Sequence, residues 1–275
     1  MTTQRQLLTA LIAVLAAALI SFVLTPVVKA LAPKFGFVDV PKDERRMHNH
    51  PIPTIGGLAI FVSFVLVSLF VCHLNRQFIG MLLGALVIVV LGVVDDKYDL
   101  SAKLKLAVQI LAAAIPVSQG VVIRYISHPF GFLGVPYLSL GVLAVPVTIC
   151  WIVAITNAVN FIDGLDGLSV GVCSISSLSM GIIALMLGQS NEAVILAALL
   201  GACLGFLPYN FNPAKIFMGD TGATFLGFML SCMAVSGLFK LYAVISFVVP
   251  ILVLGVPLFD ICFACIRRLC HHVSP

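Results

Sequence analysis

Long apolar runs alternate with short polar stretches along this chain. Nine runs stand out, at residues 7–28, 55–71, 78–94, 104–122, 138–155, 168–187, 193–207, 223–238 and 243–266. About 20 helical residues cross the hydrocarbon core of a bilayer, so each run reads as a membrane span. Inside lipid, backbone N–H and C=O groups must be satisfied within the segment, which selects helices over open strands. The pattern therefore predicts an all-α polytopic membrane protein with about nine transmembrane helices, forming one integral membrane domain over residues 1–275. The first run has the length of a secretory signal. It starts weakly, at Arg5, and carries no evident small-residue cleavage site, so it is read as a span.

Composition agrees: 61% of residues are hydrophobic and 9% charged, which excludes a solvated globular surface. The eight cysteines lie mostly within spans, lack framework spacing and read as small apolar packing residues. Charge gives the topology. Nine spans place 33–53, 95–103, 156–167, 208–222 and the segment after 266 on one side. That side holds eleven of the fifteen Lys and Arg residues, counting Lys29 at a span end and Lys105 just inside one. The positive-inside rule makes it cytoplasmic. Ten of the eleven acids fall on the same side, and only Glu192 does not. The net charge of +4 is thus a topology signal, and no basic-aromatic stripe points to nucleic acid.

The acids gather in short clusters. A carboxylate at the centre of a bilayer costs about 2.5–3.5 kcal/mol even on a lenient scale, so acids beside spans are functional candidates. The first loop, 38–57, carries Asp39, Asp43 and Glu44 among Lys42, Arg45, Arg46 and His48, a set suited to an anionic head group at the membrane surface. Asp95-Asp96 follows an apolar run, and adjacent carboxylates call for a cation or a bound proton. A hard oxygen site of this kind suits Mg²⁺ bridging to phosphates. Lys103 and Lys105 follow it and can hold phosphate oxygens or anchor the next span. The string Asn157-Ala-Val-Asn160-Phe-Ile-Asp163-Gly-Leu-Asp166-Gly167 puts two carboxylates three apart, on one face if helical, beside two amides. The last string, Phe217-Met-Gly-Asp220-Thr-Gly222, places Asp220 at a span entrance, where helix N–H groups favour anions such as a diphosphate. Phe217 reads as an exposed-loop aromatic able to stack on a base. Together these features point to phosphoryl transfer at the cytoplasmic face with a divalent metal and a lipid co-substrate. An ion-coupled transporter is the contrasting reading, but it would place acids at the midplane of repeated halves, and no repeat is visible.

These strings, in this order from about Phe37 to Arg268, resemble the polyprenyl-phosphate N-acetylhexosamine-1-phosphate transferase family. The wording looks closest to its bacterial UDP-GlcNAc:undecaprenyl-phosphate branch. The resemblance implies transfer of HexNAc-1-phosphate from a UDP-sugar to undecaprenyl phosphate, releasing UMP, with Mg²⁺ (Mn²⁺ being the alternative ion), to initiate a cell-envelope glycan. It implies Asp220 and Asn160 as metal ligands and Asp95, Asp96 and Asp163 as catalytic acids. Asp166, Phe217 and Asn157 would serve the nucleotide, and Lys42, Arg45, His48 and Lys105 the substrate-facing surface. Homodimers are common in the family. Its members usually continue beyond the helix that holds Asp260 into a loop with a His-rich motif, which is not found before Pro275. The expectation is a copy truncated at the C-terminus, with a catalytically impaired member as the alternative.

Overall fold

The computed structural model describes residues 3–39, 51–127 and 137–238. Eight α-helices form there: α1 (Thr3–Leu31), α2 (Gly57–Val71), α3 (Arg76–Tyr98), α4 (Ala102–Ser118), α5 (Ala144–Phe161), α6 (Leu168–Met186), α7 (Ser190–Asn210) and α8 (Gly219–Met233). They correspond one by one to the first eight predicted spans; the ninth, 243–266, lies outside the described residues. Five helical stretches are long and apolar enough to cross a membrane: those containing α1, α3, α5, α6 and α7. The chain is a multi-pass membrane protein.

Two short antiparallel ribbons depart from the all-helical pattern. β1 (Val38–Asp39) pairs with β2 (Ile52–Pro53), and β3 (Tyr125–Ser127) with β4 (Tyr137–Ser139). The second ribbon shortens a predicted span: the expected membrane helix begins at 138, but β4 runs to Ser139 and the helical stretch starts with a 3-10 turn at Gly141–Leu143 that leads into α5. A few apolar residues do not distinguish strand from helix, and here Gly141 turns the chain with a positive φ of 48°. Asn75 caps α3 by accepting from the Phe78 N–H at 2.8 Å, which sets where that span begins.

Helix α8 is the axis of the bundle. All its residues from Thr221 to Met233 are buried, and α2, α3, α5 and α6 pack around it. On the periphery α1 lies along α7, with Ala10, Ala13 and Ala17 turned inward and Leu7, Leu11, Leu15 and Leu19 outward. Lipid tails are as apolar as leucine, so this packing rests on close backbone approach rather than on hydrophobic driving force. The approach is also tight at the entrance of α8. A Cβ at Gly57 would stand 2.2 Å from the Gly222 nitrogen, and one at Gly92 would stand 2.4 Å from the Thr221 Cα. Both obstacles are backbone, so neither can rotate away.

Gly92→Leu is therefore expected to push α3 off α8 and lower stability by about 1–3 kcal/mol. Thermal unfolding in detergent measures this; a midpoint equal to that of the parent would contradict the contact.

Candidate active site

Three loop or helix ends converge where α8 begins. The segment before α2 runs beside the segment before α8: Phe217 N–H donates to the Pro53 carbonyl (2.8 Å), and Gly56 and Gly57 N–H donate to the Phe217 and Met218 carbonyls (3.0 and 2.8 Å). Gly219 then turns with φ 73°, packed against the Thr54 carbonyl and the Asp96 carboxylate, where no side chain fits. This pairing makes Phe217 half-buried rather than the exposed-loop aromatic the sequence suggested.

The Asp95-Asp96 pair lies inside the last turns of α3, which continues to Tyr98, and not beyond the helix as the polarity change implied. Adjacent positions on a helix point about 100° apart, so the two acids have different partners. Asp96 accepts from the Asp220 N–H (2.8 Å), the Thr221 N–H (3.2 Å) and the Thr221 hydroxyl (2.6 Å). It caps α8. The helix N-terminus expected to hold a diphosphate is thus already engaged by a carboxylate of the protein. Asp95 is buried; it accepts from the Leu100 N–H at 2.8 Å and forms an ion pair with Lys105 at 2.8 Å.

Asp220 projects from the first turn of α8 into the same space. Its carboxylate lies 3.5 Å from the Lys105 ammonium, accepts from the Asn160 amide at 3.3 Å, and comes within hydrogen-bonding reach of Asp95. Lys97 takes no part in the cluster; its ammonium lies over the rings of Phe37 and Tyr98.

The predicted Asp163-Asp166 face does not form. Helix α5 ends at Phe161, and the next six residues are turns, so the helical register is lost. Asp163 remains in the acid cluster, near Asp220 and Asp96. Asp166 points the other way and accepts from the Asn212 amide (3.1 Å) and the Ala214 N–H (2.9 Å), joining this loop to the one before α8. Asn210 strengthens the join: it accepts from the Gly167 N–H and donates to the Ile216 carbonyl, both at 3.1 Å. Asn157 and Asn160, read alike from the sequence, also separate. Asn160 meets Asp220, while Asn157 pairs with Gln109 of α4. Sequence reasoning misses Gln109, and it gives no role to Thr221, within the last string, or to Asn210, a few residues before it. A lone amide four residues beyond Lys105 in an apolar span was the available signal for Gln109. Lys42, Arg45 and His48 lie outside the described residues.

The donor set is compatible with a divalent cation. The Asp95 and Asp220 carboxylates share the Lys105 ammonium, and Asp96 and Asp163 lie close to Asp220. Among the described residues no three His, Cys, Asp or Glu side chains close on one point as a cage.

Part of Asp163 is accessible at the surface, yet its carboxyl is densely enclosed by protein. Burial, then the charges of Asp220 and Asp96, hold its pKa well above the ordinary 3.8. The folded protein therefore keeps a proton that the unfolded chain has released. As pH rises above the unfolded value, this group opposes folding; below that value it contributes nothing. Asp163→Asn is expected to raise the unfolding midpoint in EDTA at neutral pH and to leave it unchanged below about pH 4. Equal midpoints at every pH would contradict the enclosure.

Residues 78–238 match the pattern of glycosyl transferase family 4. The chain is similar to a probable undecaprenyl-phosphate N-acetylglucosaminyl 1-phosphate transferase of Bacillus subtilis (strain 168), with 44% identity across 90% of this chain and 68% of that protein. It is also similar to a decaprenyl-phosphate N-acetylglucosaminephosphotransferase of Mycobacterium tuberculosis (strain ATCC 25618 / H37Rv), at 36% across 92% and 69%. An undecaprenyl-phosphate alpha-N-acetylglucosaminyl 1-phosphate transferase of Thermotoga maritima is 32% identical across 94% and 75%. The matched region holds the whole of the cluster built from α3, α4, α5 and α8, and on these grounds the chain belongs to glycosyl transferase family 4.

Proposed function

We propose that this chain transfers N-acetylglucosamine 1-phosphate from a UDP-sugar to a polyprenyl phosphate, releasing UMP, as an early step of cell-envelope glycan synthesis. The observation that carries the reading is the Asp95–Lys105–Asp220 cluster at a membrane helix end, in a chain 44% identical to a protein named for this transfer. The reaction exchanges one P–O bond for another. A phosphate oxygen of the lipid attacks the β-phosphorus of the sugar nucleotide, and the α-phosphate oxygen leaves with UMP. Such a reaction depends on positioning and charge neutralisation more than on covalent help from the protein.

Each residue has a part in this reading. Asp220 and Asn160 hold Mg²⁺ (Mn²⁺ in its place), which supplies charge neutralisation at the diphosphate. Lys105 offsets the repulsion between the carboxylates and an incoming phosphate. Asp95, which shares Lys105, orients the acceptor phosphate or takes its proton. Asp96 keeps the α8 entrance, and with it Asp220, in place, and Asp163 supports the metal side. Asp166, Phe217 and the joined loops around them form the wall against which uridine rests. Asn157 supports this side indirectly, through its amide partner. Lys42, Arg45 and His48, outside the described residues, are assigned to the substrate-side surface by family likeness alone. The excess of Lys and Arg on the loops of the site's side, eleven of fifteen, supports a cytoplasmic face. A homodimer is part of the proposal by family likeness alone.

The acceptor has a route to the site. A cavity of about 460 Å³ between α3 and α4 is lined by Leu86, Val90, Val94, Leu100, Leu104 and Val108. Leu100 lines the cavity and donates its N–H to Asp95 at 2.8 Å, so the apolar groove ends beside the charged cluster. On helix α3 it spans about 12 Å at 1.5 Å per residue, room for the first isoprene units of the lipid.

In membranes given UDP-GlcNAc, undecaprenyl phosphate and Mg²⁺, Asp220→Ala is expected to lower UMP release by about 100–1,000-fold or more. Normal turnover would overturn the assignment. Leu104→Trp fills the groove and is expected to raise KM for undecaprenyl phosphate while leaving KM for UDP-GlcNAc unchanged. Equal effects on both constants would remove the groove from the scheme.

A further inference from the structure

The least expected polar contact in the bundle is between two neutral amides. Gln109 of α4 is only 3% exposed, within an otherwise apolar stretch. Its carbonyl oxygen accepts from the Asn157 amide at 2.6 Å, and its own amide donates back to the Asn157 oxygen at 3.3 Å. The Asn157 nitrogen also donates to the Val153 carbonyl at 2.8 Å, one turn back on α5. Asn157 is therefore held from two directions, and its amide is committed to protein partners rather than presented to a ligand.

The position of this pair gives it a consequence. Gln109 is four residues beyond Lys105, so both lie on one face of α4. Asn157 is three residues before Asn160, so both lie on one face of α5. Lys105 reaches Asp95 and Asp220, and Asn160 reaches Asp220. Polar contacts thus join Gln109 to Asn157, Asn160 to Asp220 and Asp220 to Lys105, and helices α4 and α5 themselves complete the loop across α4, α5 and α8. Helix α4 packs chiefly on α3 and much less on α5. Apolar packing allows one helix to slide or rotate on another at small cost, whereas a reciprocal amide pair has one register. Two amides facing each other satisfy donors and acceptors that would otherwise be bare in an apolar surrounding.

We infer that Gln109 is a positioning residue, which with Asn157 locks the register of α4 against α5 and so holds the Lys105 ammonium between Asp95 and Asp220. This inference rests on the proposed transfer for its kinetic part. Its structural part does not need that reading, because the reach of Lys105 can be measured without turnover.

The test compares Gln109→Leu, the double variant Gln109→Leu/Asn157→Leu, and the exchanged pair Gln109→Asn/Asn157→Gln. The double variant leaves no unpaired amide, so it is expected to fold with a midpoint near that of the parent. It nevertheless lacks the lock. Misplacement of a reacting group by about 1 Å costs about 100-fold in rate, and a fall of that order in kcat is expected for both leucine variants, with KM for UDP-GlcNAc little changed. The exchanged pair keeps two facing amides of the same total length and is expected to recover much of the rate. Independently, acylation of Lys105 by a water-soluble N-hydroxysuccinimide ester, followed by mass spectrometry, is expected to speed up severalfold when the lock is cut. A folded double variant with parental kcat and parental Lys105 reactivity would overturn the inference. Absence of turnover in the parent chain would count against the proposed transfer alone, and the Lys105 reactivity would still decide the lock.

Discussion

A carboxylate at the end of a membrane helix has to be satisfied by something, and the rest of this site depends on how Asp96 is satisfied. It accepts two backbone N–H groups and a hydroxyl from the first turn of α8. One interaction thus neutralises a costly acid and ends the most buried helix of the bundle. It also fixes where Asp220, the first acid of α8, stands relative to Asp95. Everything around it is arranged to permit the approach: Gly92 lets α3 touch Thr221, Gly57 lets α2 touch Gly222, and Gly219 turns the chain beside the Asp96 carboxylate. A methyl group at any of the three would separate the acids.

The cluster is consequently asymmetric. Asp96 is saturated by the protein. Asp95 and Asp220 share one lysine, and Asp163 faces them from an enclosed turn. Four acids of one kind thereby serve as a cap, an ion-pair partner, an acceptor shared by Asn160 and Lys105, and a proton-holding neighbour. Phosphoryl chemistry needs such division, because a diphosphate approaching four equivalent carboxylates would be repelled. A lysine and an amide beside the carboxylates offset part of that repulsion. The family likeness and the geometry lead to one reading here by separate routes: relatives name a transfer between phosphates, and the charges are arranged for one.

Much of the site was legible in the residues. Asp95, Asp96, Asp163, Asp220, Asn160 and Lys105 all stood out as polar groups beside apolar spans, where each is expensive unless it has a use. What could not be read was their pairing. Asp163 and Asp166 look like one helical face, yet Gly164 and Gly167 with the end of α5 put them on opposite sides of a turn. Asn157 and Asn160 look like a matched pair of ligands, but one turn of helix directs them to different neighbours. Gln109 was overlooked because a single amide in an apolar run has no partner within reach in the sequence; its partner is 48 residues away.

By itself the sequence determined the class of solvent, the number and order of the helices over the described residues and the side on which charge accumulates. These follow from local quantities: the length of an apolar run, the need of backbone groups for internal bonds, and the bias of basic residues. Only the tertiary structure decided which acid caps α8, which one holds Lys105, that 137–139 is ribbon rather than membrane helix, and that Gln109 meets Asn157. Those outcomes depend on contacts between helices far apart in the chain. Contact distance there is set by backbone atoms and by glycines at crossing points, and the polarity of one segment carries no information about the segment it will meet.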